Sequence, residues 1–466
     1  MQIVEETQRE RFTGLQRSLE GKKVLVLGLA RSGAAAVRLL SDEGAVVVAA
    51  DESPAVSAPD GVAGLTVKHG PFDPCLLDGC DEVIVSPGVP IDHPFLLEVV
   101  RRGVPLASEL ELGWRFVRGR VIAVTGTNGK STTVTMIGEI LRESGAPVVV
   151  AGNVGLPLCG VARDLGPDGF YVLEVSSFQL ETVQRFRPTV AGLLNLTPDH
   201  LDRYRSVQDY YHAKMRIIEN CGREDTLFYN AEDRRCAEIA GSFTGARVPF
   251  SSRRPVDGGV YLDADRIVRL RDGEREPVML RAELGTIGLH NVENALAAIA
   301  ALTPFAVPAG ACRGALARFR GLPHRMEEVA RVGGVFFFND SKATNVEATV
   351  MSLAGLDREA VLIAGGHDKG GDFTKLSPVL GNVRAVVVIG EAAPLIEEAL
   401  VPLVPRVPVV RAGSMEDAVE AAYGMARPGQ LVVLSPACAS FDMFDNFEHR
   451  GEVFRECVLR LGERVR

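Results

Sequence analysis

An α/β protein of three domains is what this sequence predicts, and three observations carry the expectation. Its 466 residues exceed what one hydrophobic core organises, so two to four domains is the starting range. Short apolar runs recur along the chain, each ending in a polar or glycine-rich turn and separated by amphipathic stretches. The pattern then starts afresh twice, at Val121 and after Gly321-Leu322-Pro323, which places the domains at 1–115, 116–321 and 322–466.

In the first domain the run Val24-Leu25-Val26-Leu27-Gly28 reads as a buried strand, followed by an amphipathic stretch from Ala34 to Ser41. A second strand, Ala45 to Ala50, closes on Asp51, and a third, Glu82 to Val85, enters the turn Ser86-Pro87-Gly88. Such alternation implies a parallel, Rossmann-like sheet with ligands at the carboxyl ends of its strands. The loop Gly28-Leu29-Ala30-Arg31-Ser32-Gly33 with Asp51 approaches the dinucleotide fingerprint, but Ala30 replaces the middle glycine. A diphosphate on the helix N-terminus, with Arg31 adding charge, suits this loop better than a nicotinamide, because nothing else in the chain supplies a hydride-transfer site.

The second domain opens with the strand Val121 to Thr125, the loop Gly126-Thr127-Asn128-Gly129-Lys130-Ser131 and a helix from Thr132 to about Ser144. Glycines let backbone N–H groups curl around phosphate oxygens, a lysine adds charge toward the β and γ phosphates, and a serine can offer its hydroxyl to Mg²⁺. The common form of this loop has glycine where Val124 stands, so a variant P-loop of the mononucleotide-binding ATPase type is expected rather than an ordinary tight turn. Strands at Tyr171 to Val175 and Val190 to Leu194 deliver Glu174, Ser176 and Ser177, then Asn195, Asp199 and His200. Glu174 and His200 could bind or orient a metal, although each alone reads more simply as a solvated or capping residue. Lys214, on a helix predicted over Val207 to Asn220, reads by default as a surface lysine. Ala295 to Cys312 is the most apolar stretch, and Pro304 and Pro308 make it a packed helix and loop rather than a membrane span.

The third domain, also Rossmann-like, has strands at Val335 to Phe338, Ala360 to Ala364, Ala385 to Ile389 and Gln430 to Leu434. Three loops follow strands here: Asn339 to Asn345, Gly365 to Lys369, and Ser435 to Ser440. Converging at one sheet edge, they would suit a small anionic ligand, with Lys342 and Lys369 facing its carboxylates.

A net charge of −9 without a long Lys/Arg cluster argues against a general nucleic-acid binder. The eight cysteines show neither CxxC pairs nor zinc-type spacing and read as reduced thiols. Met1 to Arg11 is acidic and polar, the wrong chemistry for a signal peptide, so a cytoplasmic enzyme without a membrane partner is expected.

Taken together, the 125–132 loop TGTNGKST, Gly152-Asn153-Val154-Gly155, Leu173 to Leu180, Asn195 to Tyr204, His290 to Ala295 and Gly321 to Arg325 resemble the Mur ligase superfamily. The blocks Asn339 to Asn345 and Ser435 to Gly451 resemble its D-glutamate-adding branch. That resemblance implies an ATP-dependent amide ligase of peptidoglycan synthesis with three domains: the first holds a UDP-muramoyl substrate, the second ATP and the last the amino acid. Leu29, Ala30, Arg31, Ser32, Asp51, Ser86, Pro87 and Gly88 would contact the uridine diphosphate, and Asn153, Gln179 and His200 the muramoyl-alanyl part. Gly126, Thr127, Asn128, Gly129, Lys130, Ser131 and Thr132 would hold the ATP phosphates, with Asn291 and Asn294 near the adenine and Arg325 and Asp340 reaching over from the last domain. D-glutamate would meet Lys342, Thr344, Lys369, Ser440, Phe441 and Phe447. One Mg²⁺ is implied near Ser131 and Glu174 and a second near His200 and an N6-carboxylated Lys214, so that Lys130, Glu174, His200 and Lys214 form the catalytic set of a monomeric enzyme.

Overall fold

Val24, Val26 and Leu27 are wholly inaccessible to solvent, as a strand covered on both faces requires, and each of the three sheets is organised around such strands. The computed structural model describes residues 18–465 apart from 55, 63–64, 201–202, 272, 357 and 401–405; Met1 to Arg11 lies outside these. Among the described residues the strands form sheets of five, nine and six. The chain divides into two compact units, one of Met1–Leu280 with Asn294–Leu316, the other of Arg281–Glu293 with Ala317–Arg466.

In the first unit, the five-stranded sheet is parallel, with Lys23–Leu27 at its centre between Val46–Asp51 and Glu82–Val85. The helix Arg31–Asp42 covers one face through Ala35, Ala36, Val37, Leu39 and Leu40. In the nine-stranded sheet, Arg120–Thr125 lies between Phe170–Glu174 and Val190–Leu193, parallel to both. The ends of these three strands therefore share one edge, and the phosphate loop, Glu174 and Asn195 emerge side by side. One continuous apolar core joins the two sheets, running from Val24 and Leu40 through Leu110 and Leu112 to Tyr171 and Leu193.

The sheet extends through Val260–Asp263, Arg266–Arg271 and Glu274–Leu280, an antiparallel meander that the sequence reading did not anticipate. Its strands mix exposed charged residues, Arg266, Arg271, Glu274 and Arg275, with buried positions in no regular alternation, which gives a weaker signal than a doubly buried run. The helix predicted over Val207 to Asn220 is α-helical only over Val207–Met215 and continues as a 3₁₀ turn, Arg216–Ile218. Within Leu289–Leu302 every residue from Ala295 to Leu302 is buried, and no helix among the described residues is long and apolar enough to cross a membrane.

The second unit holds the six-stranded sheet, with Leu431–Leu434 paired between Val335–Asn339 and Ala360–Gly365. These three central strands end in the loops singled out from the sequence.

Candidate active site

The phosphate loop is held open by its own unit. Gly129 adopts φ 85°, and a Cβ there would lie 2.5 Å from Asn294 Oδ1, so glycine is required on both grounds. Asn195 anchors the loop: its Oδ1 accepts from Asn128 N at 2.7 Å, and its carbonyl accepts from Thr127 N at 3.0 Å. Thr127 Oγ1 donates to Thr197 O at 3.0 Å. Lys130 folds back on the loop, donating to Gly126 O and Thr127 O at 2.9 Å each.

Glu174 is 3% exposed, contrary to the simple reading of it as solvated. Ser131 Oγ donates to its Oε2 at 2.5 Å and Asn153 Nδ2 to its Oε1 at 2.7 Å. Lys214 is no surface lysine either: it is 2% exposed and donates to Gly126 O at 2.8 Å. Burial first, and then the charge of Lys130, hold its pKa well below the usual lysine value, opposed by Asp199 and Glu174. His200 takes φ 53°, with Nε2 3.8 Å from Asp199 Oδ2 and its ring against the edge of Phe178. Among the described residues no three His, Cys, Asp or Glu side chains form a metal cage. A hard carboxylate and hydroxyl in contact still suit Mg²⁺, which keeps most of its coordination for water and nucleotide phosphate.

A cavity of about 460 Å³ lies beside this cluster in the same unit. Ala30, Arg31, Ser32, Asp51, Ser86, Pro87, Gly88, Asn153 and Gln179 line it, whereas Leu29 and His200 do not. The helix Arg31–Asp42 begins at Ala30 without a side-chain cap, leaving its first-turn N–H groups to serve an anion. Gly33 permits the tight approach, since a Cβ there would lie 1.8 Å from Gly28 O. Asp51 shapes the loop, its oxygens accepting from Leu29 N at 2.6 Å and Ser53 N at 2.9 Å. Ser86 Oγ donates to Gly28 O at 2.7 Å, and Gln179 closes a capping box with Ser176. Glu52, Phe72 and His93 also line the cavity, and nothing local in the sequence marks them.

Arg203 is another residue that the sequence reading passed over. Its guanidinium donates to Pro87 O at 2.8 Å and Glu181 Oε2 at 2.9 Å and lies 3.9 Å above the Phe178 ring, tying the Ser86-Pro87-Gly88 turn to the segment that carries His200.

In the second unit, Lys342 Nζ sits 3.7 Å from the centre of the Phe447 ring. Ser440 is buried, Lys369 is exposed, and Phe441 is 72% exposed. Thr344 N donates to Lys342 O at 2.8 Å, which tightens that loop. Asp340 accepts from Ser352 at 2.7 Å and Ser435 at 2.8 Å, and burial pushes its pKa up to about 6. Arg325 bridges back to Leu322, and Asn291 Nδ2 donates to Ile287 O at 2.8 Å.

Family models match most of the chain: a MurD-like N-terminal domain over residues 22–108, a Mur ligase middle domain over 124–302 and a Mur ligase glutamate ligase domain over 324–438. Two relatives named UDP-N-acetylmuramoylalanine--D-glutamate ligase are similar over nearly their full length. That of Acidobacterium capsulatum is 42% identical over 95% of this chain and 97% of its own, and that of Pelotomaculum thermopropionicum 43% identical over 94% and 98%. Among solved structures, the UDP-N-acetylmuramate-alanine ligase MurC of Thermotoga maritima superposes with a TM-score of 0.59 at 19% identity, covering 94% of this chain and 99% of that one.

Proposed function

This chain belongs to the Mur ligase family, and we propose that it joins D-glutamate to UDP-N-acetylmuramoyl-L-alanine at the expense of ATP, in peptidoglycan precursor synthesis. The observation that carries the reading is Asn153, which lines the substrate cavity and also donates to Glu174, itself bonded to the phosphate-loop residue Ser131. Acceptor and nucleotide are thus handled by adjoining parts of one unit.

The chemistry follows from the weakness of a carboxylate as an electrophile. The terminal alanyl carboxylate attacks the γ-phosphate of ATP, giving an acyl phosphate and ADP. The D-glutamate amine then adds to the activated carbonyl, and the tetrahedral intermediate expels phosphate. Residues Gly126 to Thr132 cradle the phosphates, and Lys130 moves from the loop carbonyls to the transferring group. Ser131 and Glu174 would hold one Mg²⁺ and His200 and Lys214 a second; bound there, the cations neutralise charge on the phosphoryl oxygens. Burial favours the neutral form of the Lys214 amine, and that form can add CO₂ and release a proton to give a carbamate, an oxygen ligand.

On this reading residues 1–115 hold the UDP moiety, 116–321 ATP and 322–466 the amino acid, in a monomeric cytoplasmic enzyme. Asn291, Asn294, Arg325 and Asp340 serve ATP, while Lys342, Thr344, Lys369, Ser440, Phe441 and Phe447 serve D-glutamate. ADP release with UDP-N-acetylmuramoyl-L-alanine should require D-glutamate, with L-glutamate inactive. Equal turnover with another amino acid would reassign the chain within its family.

A further inference from the structure

Arg450, on the helix Phe447–Val465, is fully buried, yet its hydrogen bonds go only to neutral oxygens. The guanidinium donates to Ser341 Oγ and Ser341 O, each at 2.9 Å. It also donates to Cys438 O at 3.1 Å, Ala439 O at 3.0 Å and Gly365 O at 3.5 Å. These acceptors belong to the three loops that end the central strands of the second unit. Gly366 shows how closely the loops meet: a Cβ there would lie 2.2 Å from Ala439 O and 3.0 Å from an Arg450 nitrogen.

Among the described residues Arg450 makes no ion pair. Asp340 and Asp442 act on it only through space, and desolvation pulls its pKa down to about 10. Asp340 is already engaged by Ser352, Ser435 and Met326 N. Burying a guanidinium against neutral acceptors is costly, and apolar side chains could fill the same space. Its planar fork does what they cannot, fixing carbonyls of separate loops at set spacings. Each carbonyl it polarises also makes the following N–H a stronger donor, as at Gly366 and Ser440.

We propose that Arg450 is a positioning residue for the amino acid: it sets the spacing of the three loops so that Lys342, Lys369 and Ser440 meet the two carboxylates, and its charge favours a dicarboxylate ligand above them. The proposal rests on assigning residues 322–466 to the amino acid.

The test is ADP release titrated separately with D-glutamate, the UDP-acceptor and ATP. Arg450→Lys keeps the charge and loses the fork. It should raise KM for D-glutamate by about 10- to 100-fold, with the other two KM values within about twofold, because small displacements of positioned groups carry losses of that order. In Arg450→Ala, millimolar methylguanidinium should lower KM for D-glutamate again and leave the other two KM values and the melting temperature unchanged, a selectivity that a merely structural role would not give. If Arg450→Lys raises all three KM values together, or lowers kcat alone with a lower melting temperature, the residue is structural and the proposal falls. Lys369→Ala in the same assay separates the two levels: a shift in D-glutamate KM for Lys369→Ala but not for Arg450→Lys overturns the proposal alone, whereas no shift in either overturns the domain assignment as well.

Discussion

Lys214 Nζ donates to the carbonyl oxygen of Gly126 at 2.8 Å, so a buried lysine from the helix Val207–Met215 ends against the first residue of the phosphate loop. Its lowered pKa leaves a larger share of neutral amine near neutral pH than an exposed lysine has, and the neutral amine is the form that reacts with CO₂. Lys214→Ala should therefore lose most activity and regain part of it with formate or acetate, a free carboxylate replacing the carbamate. Full activity without rescue would return Lys214 to a packing role.

Lys130 donates to two carbonyls of its own loop, Gly126 O and Thr127 O, and is partly exposed. Removing it takes away charge at the transferring phosphoryl rather than packing. Lys130→Ala should keep the melting temperature within a few degrees and lower kcat by roughly 100-fold or more. Near-normal turnover would contradict the ATP assignment of the loop.

Glu174 accepts from both Ser131 and Asn153. Glu174→Gln retains the shape and removes the charge, so the Mg²⁺ concentration for half-maximal activity should rise on the order of 10- to 100-fold. An unchanged Mg²⁺ titration with reduced kcat would place the residue outside the metal site.

Glu109 is 1% exposed; Oε1 accepts from Cys159 N at 2.7 Å, and Oε2 has no hydrogen-bond partner. Burial raises its pKa to about 7. Because the folded value lies above the unfolded one, its stabilising share is complete below the ordinary carboxyl range and is lost as pH rises through about 7. Thermal melts should show the wild type less stable at pH 8 than at pH 6, by roughly 1 kcal/mol, and Glu109→Gln should flatten that slope. Parallel pH profiles for the two proteins would refute it.

Strand positions were legible locally. Val335–Asn339 and Ala360–Gly365 differ by a single residue from the runs read in the sequence, because a strand buried on both faces must be apolar at nearly every position. The phosphate loop was legible for a similar reason, since its glycines answer to backbone conformation and not to distant partners. The meander Val260–Leu280 was not, because half-exposed strands dilute the apolar signal.

The sequence by itself determined the α/β class, the strand ends that bear polar loops and, through resemblance, the family. Only the tertiary structure decided which charged side chains go inside. Lys214, Arg203 and Arg450 lie on helices or loops whose local pattern is that of a solvated surface, and each is drawn inward by carbonyl oxygens far away in the chain: Gly126, Pro87 and Gly365. A buried cation is tolerable only where such acceptors converge. That convergence depends on which strands become neighbours, a relation between distant segments that no short window of sequence contains.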